Sequence, residues 1–223
     1  MQVRRASLIE GARAATGTAV IIDVFRAFST AAFCVAAGAR EIVLVGTPEE
    51  AFALRHADPE VFLTGEVDGR PIEGFDAGNS PAQIVELDLA GRRVVQRSSS
   101  GTQGVVAAAT ADEIVLGSFV IAQATCRYVA SRARTVTLVA MGDRGTEPNP
   151  EDESCATHLQ ALLEDRPSDA AALVAALPQW RNESWPSWFP RCDAELACEV
   201  DRFDFALPVV REGGLLVARP VRS

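Results

Sequence analysis

Short apolar runs alternate with longer alanine-rich segments over the first three quarters of the chain. The apolar runs are rich in valine and isoleucine and nearly continuous, which is typical of strands that are covered on both faces. They predict strands at residues 18–23, 41–46, 61–65, 92–97, 112–117 and 135–142. Strands and helices that alternate at this spacing predict an α/β fold, a three-layer α/β/α sandwich with a largely parallel sheet.

Three of the intervening segments carry helix start signals. The motifs TPEE, SPAQ and NPED begin at Thr47, Ser80 and Asn149, and each places a capping residue directly before a proline. Proline suits the first position of a helix, and the acidic or amide side chain two residues further on completes a capping pattern. Helices are therefore predicted to begin at residues 48, 81 and 150.

The pattern changes after Pro167. A short alanine-rich helix is followed by residues 177–191, which hold all three tryptophans and three prolines. So many prolines exclude a single regular element. We interpret this segment as a surface loop whose rings pack back on the core, and the alternatives are a lid over a site or a subunit contact. Residues 1–223 are expected to form one domain.

Composition and charge narrow the classes of partner. The 223 residues are 48% hydrophobic, with 21 basic and 30 acidic side chains, a net charge of −9. Because no basic block is present, neither nucleic acid nor an anionic membrane is an expected partner. Five cysteines without a CxxC pair predict reduced thiols, and no signal-peptide core or membrane-length apolar run is visible. These features predict a cytoplasmic protein.

A first cluster of polar residues follows the strand predicted at 18–23. Asp23, Arg26, Ser29 and Thr30 lie at the end of this strand and the start of a helix. An aspartate there can bind a hard divalent cation, and an arginine three residues on can bind phosphate. The alternative is an ion pair between Asp23 and Arg26 at the helix start.

A second cluster fills the long loop at residues 64–81. It contains Glu66, Asp68, Glu73, Asp76 and Asn79 between a strand and a helix. Four carboxylates and several glycines in one loop would suit a magnesium site, whereas ordinary solvated turn residues are the alternative.

A third cluster is the serine loop, residues 98–102, between a predicted strand and a predicted helix. Hydroxyls and backbone N–H groups at a helix N-terminus can bind an anion. A turn capped by its own hydroxyl groups is the alternative. With only two histidines, His56 and His158, we expect neither a zinc cluster nor a Ser/His/Asp triad.

Together these segments resemble the 2-phosphosulfolactate phosphatase family. The resemblance rests on AVIIDVFRAFST, GEVDGRPIEGFDAGNSP, SSSGT, LGSF and EDESCA, in that order, and covers roughly residues 18–165. It implies a mixed sheet in an α/β/α fold. It also implies a Mg²⁺-dependent phosphatase that acts on a small sulfonated and carboxylated phosphate ester, a step associated with coenzyme M biosynthesis.

The resemblance also implies roles for individual residues. The partner expected is a small anionic phosphorylated substrate, and the formation of a homo-oligomer is left open. The catalytic residues implied are Asp23, Arg26, Glu66 and Asp76, with the metal held by Asp23, Glu66 and Asp76. Substrate phosphate would contact Arg26, Ser29, Thr30, Asn79, Ser98, Ser99, Ser100, Gly101 and Thr102.

Three positions depart from the usual family pattern. Val67 stands where an arginine is common, and Ser100 and Ile121 stand where asparagine is common. Each lost partner would weaken anion binding by about 1–3 kcal/mol. The alternatives to the family's reaction are therefore a phosphatase with a different substrate and a non-catalytic homologue that binds a small anion.

Overall fold

The computed structural model describes residues 1–182 and 184–222, so Glu183 of the tryptophan-rich segment lies outside the described residues. A sheet of ten strands forms its centre. The strands are β1 (Gln2–Ser7), β2 (Thr18–Ile22), β3 (Glu41–Val45), β4 (Phe62–Val67), β5 (Arg70–Pro71), β6 (Arg93–Arg97), β7 (Glu113–Gly117), β8 (Thr135–Ala140), β9 (Leu207–Glu212) and β10 (Leu215–Ala218).

Helices occupy most of the segments between the strands. The three predicted helix starts are confirmed: the side chains of Thr47, Ser80 and Asn149 each accept a hydrogen bond from the backbone N–H three residues on. None of the described helices is long and apolar enough to cross a membrane. The helices are α1 (Leu8–Ala14), α2 (Ala27–Ala36), α3 (Pro48–Ala57), α4 (Pro81–Ile84), α5 (Gly101–Ala107), α6 (Ala122–Ala130), α7 (Pro150–Leu163), α8 (Ala170–Ala175) and α9 (Arg191–Ala197).

The sheet consists of two parallel blocks joined by an antiparallel hairpin. Its strand order is β1-β8-β2-β7-β9-β10-β3-β6-β4-β5. Strands β1, β8, β2 and β7 are mutually parallel, as are β3, β6 and β4. The hairpin β9–β10 lies between the blocks and runs antiparallel to β7 on one side and to β3 on the other. The predicted α/β fold with a mixed, largely parallel sheet is confirmed.

Both faces of the sheet are covered, which completes the three layers. On one face α1, α2, α4 and α5 share a single hydrophobic core with strands from both blocks, Ile21 and Ile42 among them. On the other face α6 and α7 pack on the first block, and α3 packs on the second. Neighbouring residues therefore face different cores: Ile21 faces the shared core, and Val20 and Ile22 face the layer of α6 and α7. Burial on both faces explains the continuous apolar runs.

The segments that follow β2 and β6 meet, although the two strands lie in different blocks of the sheet. Three antiparallel pairings separate the blocks, so the blocks run in opposite directions along the ladder. Five ladder steps separate β2 from β6, and successive strands rotate by about 20–25°, so β6 is rotated by roughly 100° or more. The segments that follow the two strands converge, and the Gly101 N–H donates to Asp23 at 2.7 Å.

The hairpin is fastened to the second block by a carboxylate at the start of β3. The Glu41 side chain is only 6% exposed. It accepts hydrogen bonds from Arg93 Nε of β6 at 2.6 Å and from Arg219 Nε, directly after β10, at 3.0 Å. Burial alone would raise the pKa of Glu41, but the two arginines outweigh it and lower the pKa below its ordinary value. Glu41 is therefore expected to stabilise the sheet in its charged form.

Replacing Glu41 by glutamine is expected to lower the free energy of unfolding by about 2 kcal/mol at pH 7, because two charge-assisted hydrogen bonds are weakened. A lowered carboxyl pKa gives stability that is present above the ordinary value and lost as the pH falls. The difference from the wild type should therefore shrink at pH 3. Urea unfolding at both pH values checks this, with Glu212→Gln, the other and exposed partner of Arg219, as the control. An equal loss in both variants would contradict the assignment.

Candidate active site

A polar cleft of about 280 Å³ lies where the segments after β2, β4, β6 and β8 meet. Trp188 and Phe189 of the tryptophan-rich segment form part of its wall. Among the described residues, the charged side chains that line the cleft are Asp23, Arg26, Glu66, Asp68, Asp143, Arg144 and Glu151. Five carboxylates thus face two guanidinium groups, and the cleft carries a surplus of negative charge.

Asp23 connects the helices that follow β2 and β6. One carboxylate oxygen accepts from the Ala27 N–H of α2 at 3.0 Å, and the other accepts from the Gly101 N–H of α5 at 2.7 Å. Burial raises the pKa of Asp23 to about 6; these two hydrogen bonds lower it, and the charge of Glu66 adds to the rise. A Cβ on Gly101 would lie 2.8 Å from the Asp23 carboxylate, so only glycine allows this close approach.

Glu66, at the end of β4, is held in the same way. One of its carboxylate oxygens accepts from the Ser99 N–H, and the other accepts from the Gly69 N–H at 2.6 Å and the Ser99 hydroxyl at 3.1 Å. Three donors fix this carboxylate at the wall of the cleft. Glu66 and Asp23 are therefore both brought to the cleft, although β4 and β2 lie in different blocks of the sheet.

The serine loop does bind anions, but those anions are the protein's own carboxylates. Ser99 and Gly101 donate their N–H groups to Glu66 and Asp23. Ser98 and Thr102 bind each other, each N–H donating to the other's hydroxyl at 2.8 and 2.9 Å. In this structure these four N–H groups are therefore occupied by the protein's own side chains, and contact of the loop with phosphate stays a prediction. Ser100, whose hydroxyl donates to the Gly142 carbonyl at 2.6 Å, lines the cleft.

Arg26 reaches the cleft but is not paired with Asp23. Its Nη1 donates to Asp193 at 2.7 Å, so the expected ion pair within the first cluster is replaced by one to a distant residue. Asn79 also lines the cleft, with its side-chain oxygen 3.4 Å from Gln96 Nε2.

Ser29 and Thr30 are not brought to the cleft. Both are fully buried in α2. The Ser29 hydroxyl donates to the Val24 carbonyl at 2.8 Å and bonds the Ser118 hydroxyl at 2.7 Å. Neither side chain lines the cleft, so the structure does not place their hydroxyl groups against a substrate phosphate there.

Asp76 is likewise separated from Asp23 and Glu66. Its carboxylate pairs with Arg55 and accepts from the Leu63 N–H of β4 at 2.7 Å, so it fastens the loop to the strand. It does not line the cleft, so the structure does not bring it together with the other two predicted metal ligands, Asp23 and Glu66. Ile121 is fully buried in the shared core, so its departure from the family pattern removes no donor from this cleft.

Two carboxylates that the sequence left unassigned complete the site. Asp152 accepts from the Val24 N–H at 2.7 Å and the Gly142 N–H at 2.9 Å, and burial with the charges of Asp23 and Glu151 raises its pKa well above the ordinary value. Burial also raises the pKa of Glu151 to about 7. The signal was present in the NPED motif, since this motif begins the helix that follows β8, and the loop after that strand places the first turn of α7 at the site.

The oxygen donors of the cleft fit a magnesium ion that keeps part of its water shell. Within residues 1–182 and 184–222, no group of three acidic, histidine or cysteine side chains is placed to hold a metal by itself. Magnesium is usually bound by one or two carboxylates together with waters and substrate phosphate. Asp23 and Glu66, fixed by backbone N–H groups at the wall of a negatively charged cleft, meet that requirement.

Comparison with known proteins agrees with the sequence resemblance. The family model described as 2-phosphosulpholactate phosphatase matches residues 4–189. This chain belongs to that family. Every residue that lines the cleft lies within the matched range.

Relatives in the 2-phosphosulpholactate phosphatase family are similar to the chain over part of its length. Proteins named "Probable 2-phosphosulfolactate phosphatase" from Bacillus subtilis, Deinococcus radiodurans and Caldicellulosiruptor saccharolyticus are 32%, 41% and 36% identical over 148, 129 and 149 residues. These matches cover 65%, 57% and 65% of this chain, and 63%, 54% and 62% of the relatives. The chain thus spans about three fifths of the length of these relatives.

In this family member, Glu151 is expected to make stability fall as the pH rises. A carboxyl whose pKa rises from 4.5 to about 7 on folding gives stability that is complete below pH 4.5 and lost as the pH passes 7. In metal-free protein, Glu151→Gln should match the wild type at pH 4.5 and exceed its free energy of unfolding by on the order of 2 kcal/mol at pH 8.

Urea unfolding across this pH range measures the effect. Glu49 occupies the same position in α3 that Glu151 occupies in α7, but it is exposed, so Glu49→Gln is the matched control. A Glu151→Gln profile parallel to that of the wild type would contradict the assignment.

Proposed function

We propose that this chain is a magnesium-dependent phosphatase that hydrolyses a small anionic phosphate ester of the 2-phosphosulfolactate class. The charge of the cleft is the observation that carries the proposal. Five carboxylates line it, and Arg26, one of its two arginines, is already paired with buried Asp193. A phosphate dianion would be repelled from such a cleft unless a divalent cation entered with it. The family membership supports the phosphatase chemistry.

Asp23 and Glu66 would hold the cation. A magnesium ion bound there supplies positive charge to the phosphoryl oxygens and lowers the pKa of a bound water. The backbone N–H groups that hold both carboxylates restrict their movement, so the ligands are in place before the cation arrives.

Glu151 would carry the proton of the reaction. Hydrolysis of a phosphate ester requires a proton to be taken from the attacking water and one to be given to the leaving oxygen. With a pKa of about 7, Glu151 can hold and release a proton near neutral pH. It lines the same cleft as Asp23 and Glu66, so we assign it to the leaving oxygen.

Arg26 and Arg144 would bind the anionic groups of the substrate. Arg144 lies at 3.5 Å from Asp143 and 3.8 Å from Asp68, both on the surface, and exposed pairs of this kind are weak. Its guanidinium can therefore exchange these partners for a substrate carboxylate or sulfonate. Arg26 has a fixed orientation and is assigned to the phosphate.

Asp23→Asn is expected to lower the rate of phosphate release by at least about 100-fold, because the variant loses the charge that holds the cation. The measurement is phosphate release from a panel of phosphoesters that includes 2-phosphosulfolactate, with Mg²⁺ and with chelator. Asp88→Asn, an exposed isosteric change outside the cleft, should leave the rate unchanged.

Three results would contradict this proposal. Equal rates for the wild type and Asp23→Asn would remove Asp23 from the site. Tight calorimetric binding of the esters without hydrolysis of any of them would instead identify a non-catalytic anion-binding protein, and hydrolysis of other esters alone would identify a different substrate.

A further inference from the structure

We propose that Asp193 is a positioning residue of the cleft, which orients the Arg26 guanidinium for phosphate. This inference rests on the proposed function. Asp193 lies in α9, beyond the end of the family match at residue 189. It does not line the cleft and would act only through Arg26.

The contacts of Asp193 show how the orientation is set. The residue is fully buried. One carboxylate oxygen accepts from the Ser80 hydroxyl at 2.7 Å and the Ala82 N–H at 3.0 Å, both at the start of α4. The other accepts from Arg26 Nη1 at 2.7 Å. Because α4 fixes one oxygen, the other has one defined position, and Arg26 must meet it there.

The tryptophan-rich segment supplies the remaining anchors of Arg26. Nη1 also donates to the Trp188 carbonyl at 2.9 Å, and the Phe189 ring lies 4.3 Å from the guanidinium carbon. Within the part of the chain that the structure describes, Nη2 has only a long contact to the Gly69 carbonyl, at 3.4 Å. Both N–H groups of Nη1 are thus used in hydrogen bonds, whereas Nη2 can still donate a hydrogen bond to a ligand in the cleft.

Orientation, and not net charge, is what Asp193 contributes. The side chains of Arg26 and Asp193 are 4% and 0% exposed and form a buried pair with no net charge. Such a pair attracts an anion weakly at long range, but a guanidinium held by three partners needs little rearrangement when phosphate arrives. Removing Asp193 should loosen the guanidinium and leave a buried charge without its partner.

The test compares Asp193→Asn, Arg26→Met and the double variant in the full chain. Calorimetry measures the binding of inorganic phosphate in the presence of Mg²⁺, and phosphate release from the ester panel measures kcat and KM. Asp193→Asn should weaken phosphate binding about tenfold and lower kcat/KM. In the Arg26→Met background the same change should alter phosphate affinity by less than about twofold, because Asp193 acts through Arg26.

Stability separates positioning from a merely structural role. The double variant should regain the urea stability that Asp193→Asn loses, because it contains no unpaired guanidinium, but it should still bind phosphate weakly. Asp169→Asn, an exposed helix cap elsewhere in the C-terminal part, should bind phosphate as the wild type does. If Asp193→Asn does not fold, Asp193→Glu keeps the charge and displaces it by one methylene, and it should also weaken phosphate binding.

Each outcome decides between the two proposals. Wild-type phosphate affinity in Asp193→Asn or Asp193→Glu, additive effects of the two substitutions, or a wild type that binds no phosphate would overturn the role of Asp193. If the wild type binds phosphate with the expected pattern but hydrolyses no ester, the proposed phosphatase function fails and the positioning role stands.

Discussion

The arrangement of the cleft depends on one buried carboxylate, that of Asp23. It accepts hydrogen bonds from backbone N–H groups of two helices, α2 after β2 and α5 after β6. Its partners Ala27 and Gly101 begin the two helices that share the core between the parallel blocks. A buried carboxylate with no donors would be protonated or would draw water into the core. The two N–H groups reduce the free-energy cost of burying the carboxylate. The carboxylate in turn fixes the distance between the first turns of α2 and α5.

Three carboxylates at the site are held close together by neutral donors and not by arginine side chains. Asp23, Glu66 and Asp152 each accept backbone N–H groups. Neutral donors lower the pKa of a buried carboxyl but leave the net charge in place. Burial, together with the charges of neighbouring carboxylates, nevertheless raises the pKa values of Asp23, Glu151 and Asp152. This surplus of negative charge destabilises the folded protein, and it would also attract a divalent cation to the cleft.

Much of the fold could be predicted from the sequence, because strands buried on both faces leave continuous apolar runs. These runs predict six of the strands, and the capping motifs predict three of the helix starts. Strand β1 was missed because it lies at the edge and carries Arg4 and Arg5. The hairpin β9–β10 was missed although Gly213-Gly214, both with positive φ, is a recognised signal for a two-residue turn. No local pattern could show that this hairpin lies between blocks formed by residues far away in the chain.

For the site, the sequence indicated which strand ends carry chemistry but not which way each side chain points. Asp23 and Glu66 follow strands directly, and the direction of each strand brings them to the cleft. Asp76 comes ten residues after Glu66 in a loop that folds back on β4, and its carboxylate is used there. The serine loop has the composition of an anion site, and the anions that it binds in this structure are the carboxylates of Glu66 and Asp23. Some loops of this composition bind an anionic ligand directly. Others position the protein's own carboxylates, which then bind the ligand. Composition alone cannot distinguish the two.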